Sequence, residues 1–137
     1  MFHLFRALGP IFAMATLLVD PAAVAAQQTE LMVRVSEIEI VSSYLDKYKA
    51  ILKEEAASSV RLEPGVIAIF PMCQKEHPTR VRILEIYANR EAYESHLQTS
   101  HFQRYKTSTL RMVKSLKLVD MDVVDAETMS RIFRKAP

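Results

Sequence analysis

Residues 31–40 read LMVRVSEIEI, which places Val33, Val35 and Glu37 on one side of an extended backbone and Met32, Arg34, Ser36 and Ile38 on the other. Alternation of period two over this length predicts a strand. Leu45, Tyr48, Leu52 and Ala56 then recur at three-to-four spacing, so a helix is expected over residues 43–62, with Ser42 or Ser43 as its N-cap. Glu63-Pro64-Gly65 stops it, because proline cannot continue a helix and glycine tolerates a left-handed turn. Residues 66–73 (VIAIFPMC) are almost all apolar, as in a strand covered on both faces, yet Pro71 cannot donate to a ladder. That strand is therefore expected at a sheet edge or a bulge. A short polar link leads to a third strand over residues 80–88, with Val81, Ile83, Glu85 and Tyr87 on one face, and the brevity of the link predicts a hairpin. Asn89 offers a cap for a helix over residues 90–98, and Ser100 with Gln103 forms a second capping pattern, which predicts a break near Thr99. Phe102, Tyr105, Thr109, Met112 and Val113 continue the apolar stripe, and residues 115–124 alternate as a fourth strand.

The order β-α-β-β-α-β is the split arrangement of ferredoxin-like α+β folds with an antiparallel sheet, and in it the second strand lies at an edge, in agreement with Pro71. Helices on one face of a four-stranded sheet leave the other face uncovered, and here that face is expected to be apolar. At about 25 cal/mol per Å2, a few hundred Å2 of exposed apolar surface forfeits several kcal/mol, so a homodimer packed sheet against sheet is expected. Residues 125–137 group Met129, Ile132 and Phe133 at helical spacing, which suits either a short docking helix or a frayed tail.

The first 26 residues follow a different logic. Arg6 and the amino terminus supply positive charge, an apolar run of about 13 residues follows, and residues 22–26 are small. This is a secretory signal layout with cleavage expected after Ala25 or Ala26, and the run is short of the ~20 residues that a spanning helix needs. The expected mature domain, residues 27–124, would then be periplasmic or secreted, without stable membrane association. Composition narrows the function. The chain has 137 residues and two glycines, of which only Gly65 lies beyond the leader, so glycine-rich phosphate loops and dinucleotide fingerprints are excluded. Eighteen Lys+Arg against 16 Asp+Glu give a net charge of +2, which argues against a nucleic-acid surface. Lys47, Lys49 and Lys53 read as a solvated helix face. Cys73, the single cysteine, reads as an inert buried thiol.

Glu63-Pro64-Gly65 before an apolar strand, Leu84-Glu85-Ile86-Tyr87, Glu91-Ala92-Tyr93-Glu94-Ser95-His96 and Ser100-His101-Phe102 together resemble the antibiotic biosynthesis monooxygenase (ABM) domain, in particular its small quinol-monooxygenase-like members. The resemblance spans about residues 31–124. It implies a dimeric α+β barrel with a pocket between sheet and helices. It also implies one of several activities: oxidation of a quinol or phenol by molecular oxygen without metal or flavin, haem degradation, or isomerisation of a small signalling compound. The haem-degrading members use a pocket tryptophan, which this chain lacks, so that branch is set aside.

His96 is the first candidate for chemistry: beside Tyr93 and Leu97 facing the sheet, its imidazole would reach the pocket and take a phenolic proton, or else simply bond a backbone carbonyl at the helix break. His101 opens the next helix, where the dipole favours the neutral, basic form, and it reads either as a surface residue of the first turn or, with Tyr87, Tyr105 and Arg34, as a substrate-binding residue. Glu85 follows Val81 and Ile83 on a buried face and needs a partner, for which Arg34, Arg82 or His96 are the candidates. It is either part of a structural ion pair or the group that orients His96. Tyr87 and Tyr105 either line an aromatic-binding pocket or belong to the core. No metal site is expected, since His96 and His101 are about 140° apart on a continuous helix and no Cys pair or His-Glu-x-x-His pattern exists. The leading expectation is a cofactor-independent oxygenase of a small aromatic, with His96 as base and Glu85 as orienter. An isomerase of a small carbonyl compound and a non-catalytic dimeric ligand-binding protein are the alternatives.

Overall fold

The structure is a computed structural model that describes residues 31–125, 127 and 131. The expected leader and the apolar tail residues Met129, Ile132 and Phe133 lie outside the described residues. Strand β1 (Met32–Ile40) leads through a 3-10 turn (Ser42–Tyr44) into helix α1 (Leu45–Leu62). The hairpin β2 (Val66–Cys73) and β3 (Arg80–Tyr87) follows, then helices α2 (Arg90–His96) and α3 (Ser100–Thr109), and strand β4 (Val113–Met121). The sheet is antiparallel in the order β2-β3-β1-β4, the ferredoxin-like α+β arrangement, with β2 at an edge as Pro71 requires. Among the described residues no helix is long and apolar enough to cross a membrane.

Local chemistry accounts for most boundaries and corrects several expectations. Neither Ser42 nor Ser43 caps α1: its N-cap is Tyr44, without a side-chain bond, because the serines are already wound into the 3-10 turn. Asn89 caps α2 by accepting from the Ala92 N–H at 2.8 Å. At the break the capping residue is Thr99 rather than Ser100. Thr99 Oγ1 accepts from the Phe102 N–H at 3.4 Å and donates to the His96 carbonyl at 2.8 Å, so one hydroxyl ends α2 and begins α3. Strand β4 begins two residues earlier and ends three earlier than the alternation suggests. Cys73 is exposed, not buried, because it lies at the end of the edge strand.

Gly65 is needed for a reason other than the one its position suggests. It has no positive φ. A Cβ built on it would fall 2.5 Å from the Cβ of Ala92, so glycine here permits the close approach of α2 to the start of β2. Gly65→Ala is expected to lower stability by about 1–3 kcal/mol in urea unfolding, and the Gly65→Ala/Ala92→Gly pair to recover most of it.

The helix-facing side of the sheet is apolar at both ends and polar between them. At one end Ile38, Ile40, Val81 and Ile83 pack against Tyr48 and Leu52 of α1 and against Met112. At the other, Met32, Val66 and Tyr87 pack with Ala92 and Tyr93. Between the two clusters the paired residues are Arg34 opposite Glu85 and Ser36 opposite Ile83. Charged and hydroxyl groups cannot be packed into a dry core without partners, and the molecule opens a cavity at this point.

Candidate active site

The cavity has a volume of about 440 Å3 and lies between the sheet and the two short helices. Its floor is Arg34 and Ser36 of β1 with Glu85 and Tyr87 of β3; His96, Phe102 and Tyr105 close it from above. Leu116 and Leu118 of the edge strand β4 form a half-open apolar side wall. The size suits a single small ring compound rather than a polymer or a dinucleotide.

His96 is 3% exposed and has a carboxyl group on each side. Its Nδ1 lies 3.0 and 3.2 Å from the two carboxylate oxygens of Glu63, and its Nε2 lies 3.7 Å from Oε1 of Glu55. His101 reaches the same Glu63 oxygen through Nε2 at 2.5 Å. Burial alone would push Glu63 upward, but the hydrogen bonds and charges of His96 and His101 outweigh it and hold this carboxyl below its ordinary value. An ionised carboxylate only accepts hydrogen bonds, so the proton of neutral His96 resides on Nδ1 and its Nε2 carries a free lone pair. Glu55 behaves oppositely: burial raises it, although the Ser59 hydroxyl donates to its Oε1 at 2.7 Å.

Of the residues singled out by sequence, Arg34, Glu85, Tyr87, His96 and Tyr105 all border the cavity. His101 does not, because the helix break at residues 97–99 turns its ring toward Glu63. Glu85 has none of the partners expected of it. Ser36 donates to its Oε1 at 2.5 Å and the Tyr87 hydroxyl to its Oε2 at 2.9 Å. Arg34 instead binds Asp120 across the β1–β4 pair, with Nε at 2.7 Å and Nη2 at 2.6 Å, and its guanidinium sits 4.5 Å over the Tyr93 ring. The group that orients His96 is therefore Glu63, not Glu85. The Tyr105 hydroxyl shares a 2.7 Å hydrogen bond with Tyr48 and is pushed up to about 12, chiefly by burial; burial also pushes Tyr87 upward, with the nearby Glu85 adding to it. These phenols stay protonated at neutral pH, and Tyr87 donates to Glu85, which leaves His96 as the imidazole on the cavity wall.

Glu55 and Glu63 were missed in the sequence. Glu63 reads there as part of a helix stop. Glu55 did leave a signal, since it falls between Leu52, Ala56 and Ser59 on the inward stripe of α1, where a carboxylate needs a purpose.

Residues 31–108 match the family model described as antibiotic biosynthesis monooxygenase. The chain belongs to the antibiotic biosynthesis monooxygenase family. A crystal structure from Bacteroides thetaiotaomicron, titled as a candidate antibiotic biosynthesis monooxygenase, is 48% identical over 70% of this chain and 91% of that one, with a TM-score of 0.69. A candidate monooxygenase from Lactobacillus acidophilus is 26% identical over 69% of this ABM chain and 51% of its own, with a TM-score of 0.64. A third structure, from Nitrosomonas europaea, is 19% identical, covers 72% of this chain and 95% of that one with a TM-score of 0.67, and shows the shared fold alone. No curated protein matches the chain significantly.

Proposed function

We propose that this ABM chain is a monooxygenase that oxidises a small quinol or phenol with molecular oxygen and without a cofactor. The observation that carries the reading is His96. It is a buried imidazole on the wall of a one-ring cavity, its Nδ1–H anchored by Glu63 and its Nε2 left basic. That nitrogen takes the phenolic proton, and the electron-rich anion that results passes electrons to oxygen. For a hydroquinone the balance closes on the substrate alone: hydroquinone and O2 give a hydroxyquinone and water, so no external reductant is consumed. Glu63 steadies the imidazolium formed in the first step. Family membership and the monooxygenase titles of related structures support the class of reaction.

An oxygen electrode tests it. Metal-free protein with a panel of hydroquinones and phenols is expected to consume oxygen faster than the same solution without protein, with a hydroxylated quinone as product. Equal rates across the panel reject the reading, and substrate isomerised without oxygen uptake replaces it with isomerase chemistry.

We also propose that the working form is a homodimer. The sheet face away from the helices presents Val33, Val35, Leu84 and Val119 in its centre, with Phe70, Met72 and Met121 exposed around them. Light scattering at micromolar concentration is expected to give the mass of two chains; the mass of one chain refutes the dimer.

A further inference from the structure

The two histidines and the glutamate behind the cavity have more in common than their hydrogen bonds. Glu63, His96 and His101 come from three places in the chain: the residue after α1, the end of α2 and the first turn of α3. Donor atoms, one from each residue (a carboxylate oxygen and a ring nitrogen of either histidine), lie within 4.8 Å of one another, and His96 Nδ1 and His101 Nε2 are the nitrogens that meet the Glu63 oxygen. The separation of 140° argued from sequence holds for a continuous helix only. The break at residues 97–99 removes that obstacle and turns both rings onto one carboxylate.

We propose that Glu63, His96 and His101 bind a divalent transition cation of the zinc class. Two imidazoles and one carboxylate are a donor set that such ions take, with bonds of about 2.0–2.2 Å and a fourth position left for water. Ligand atoms around a tetrahedral ion of that size stand roughly 3.3 Å apart, so modest rotations of the three side chains admit it. The three side chains are only 12%, 3% and 16% exposed. A separate feature supports the assignment. A histidine that ligates through one nitrogen donates its other N–H to a carboxylate, carbonyl or water, and Glu55 Oε1, 3.7 Å from His96 Nε2, takes that role after a small shift. Ligation through Nδ1 moves the His96 proton to Nε2, toward Glu55. The cation and the free base are then mutually exclusive states of one ring, and the filled site holds His96 without a basic nitrogen on the cavity side.

Binding is tested on the untagged full chain with the metal alone and no substrate, so its outcome is independent of whether the oxygenase reading holds. Titration calorimetry with Zn2+ is expected to show one equivalent per chain. Co2+ is expected to give visible absorption bands of a four- or five-coordinate ion. Both signals should disappear in His101→Ala and Glu63→Gln and persist in His77→Ala, which alters an exposed histidine remote in sequence from the cluster. Nitrogen-15 spectra should show the His96 proton moving from Nδ1 to Nε2 when Zn2+ is added. Absence of a saturable equivalent overturns the proposal, as does binding that survives in His101→Ala or vanishes in His77→Ala. Should Glu63→Gln fail to fold, His101→Ala decides alone, its circular dichroism serving as the check on folding.

Discussion

His96→Ala is expected to remove most of the oxygen uptake that the protein adds to a reactive hydroquinone, a loss of about 10²–10⁴-fold in kcat. The size of the effect follows from what the cavity offers in its place. Burial holds Tyr87 and Tyr105 in their protonated forms at neutral pH. Glu85 is occupied by the Ser36 and Tyr87 hydroxyls. Glu55, the other carboxyl at the cavity wall, accepts from the Ser59 hydroxyl, and among the described residues His96 is the one imidazole that lines the cavity. The truncation leaves the floor of Arg34, Ser36 and Glu85 intact, so substrate still enters and KM is expected to change much less than kcat, which is the mark of an interaction made during reaction rather than on binding. Glu63→Gln should give an intermediate loss, since a neutral amide still accepts from Nδ1–H but does not steady the imidazolium. A His96→Ala protein that melts like the parent and retains its full oxygen uptake would exclude this base.

Ile38→Ala is expected to lower the unfolding free energy by about 2–5 kcal/mol, read from the denaturant midpoint at unchanged slope. Ile38 is 3% exposed and is surrounded by Ile40, Tyr48, Leu52, Val81 and Ile83, so removing its side-chain carbons loses both transfer energy and packing contacts. Its neighbour across the β1–β4 ladder is the informative control. Leu116 pairs with Ile38 but is 57% exposed along the open side of the cavity. Leu116→Ala should change stability by no more than about 0.5 kcal/mol while widening the cavity mouth. Similar losses for both variants would mean that Leu116 is covered by a surface outside this subunit.

The two predictions separate what was legible in the sequence from what was not. Alternation at Met32–Ile40, the Pro71 edge signal and the Asn89 cap each rest on interactions within a few residues, and the backbone obeys them. The Thr99 cap shows the limit of that kind of reading. Ser100 with Gln103 satisfies the same pattern one residue later, and only the hydrogen bond of Thr99 back to the His96 carbonyl selects between them. Gly65 is similar: its place after Pro64 suggests a turn residue, whereas the constraint comes from Ala92, in a helix 27 positions further along.

From the sequence alone came the order of strands and helices, the α+β class, the family and His96 as the imidazole of interest. These rest on local periodicity and on short motifs. The tertiary structure decided which carboxylates face that imidazole, and for a physical reason. Glu63 is 33 residues from His96 and 38 from His101, and Glu55 is further still from either. No pattern of spacing encodes a contact that arises only when the end of α1, the last turn of α2 and the first turn of α3 are packed over one polar gap in the sheet.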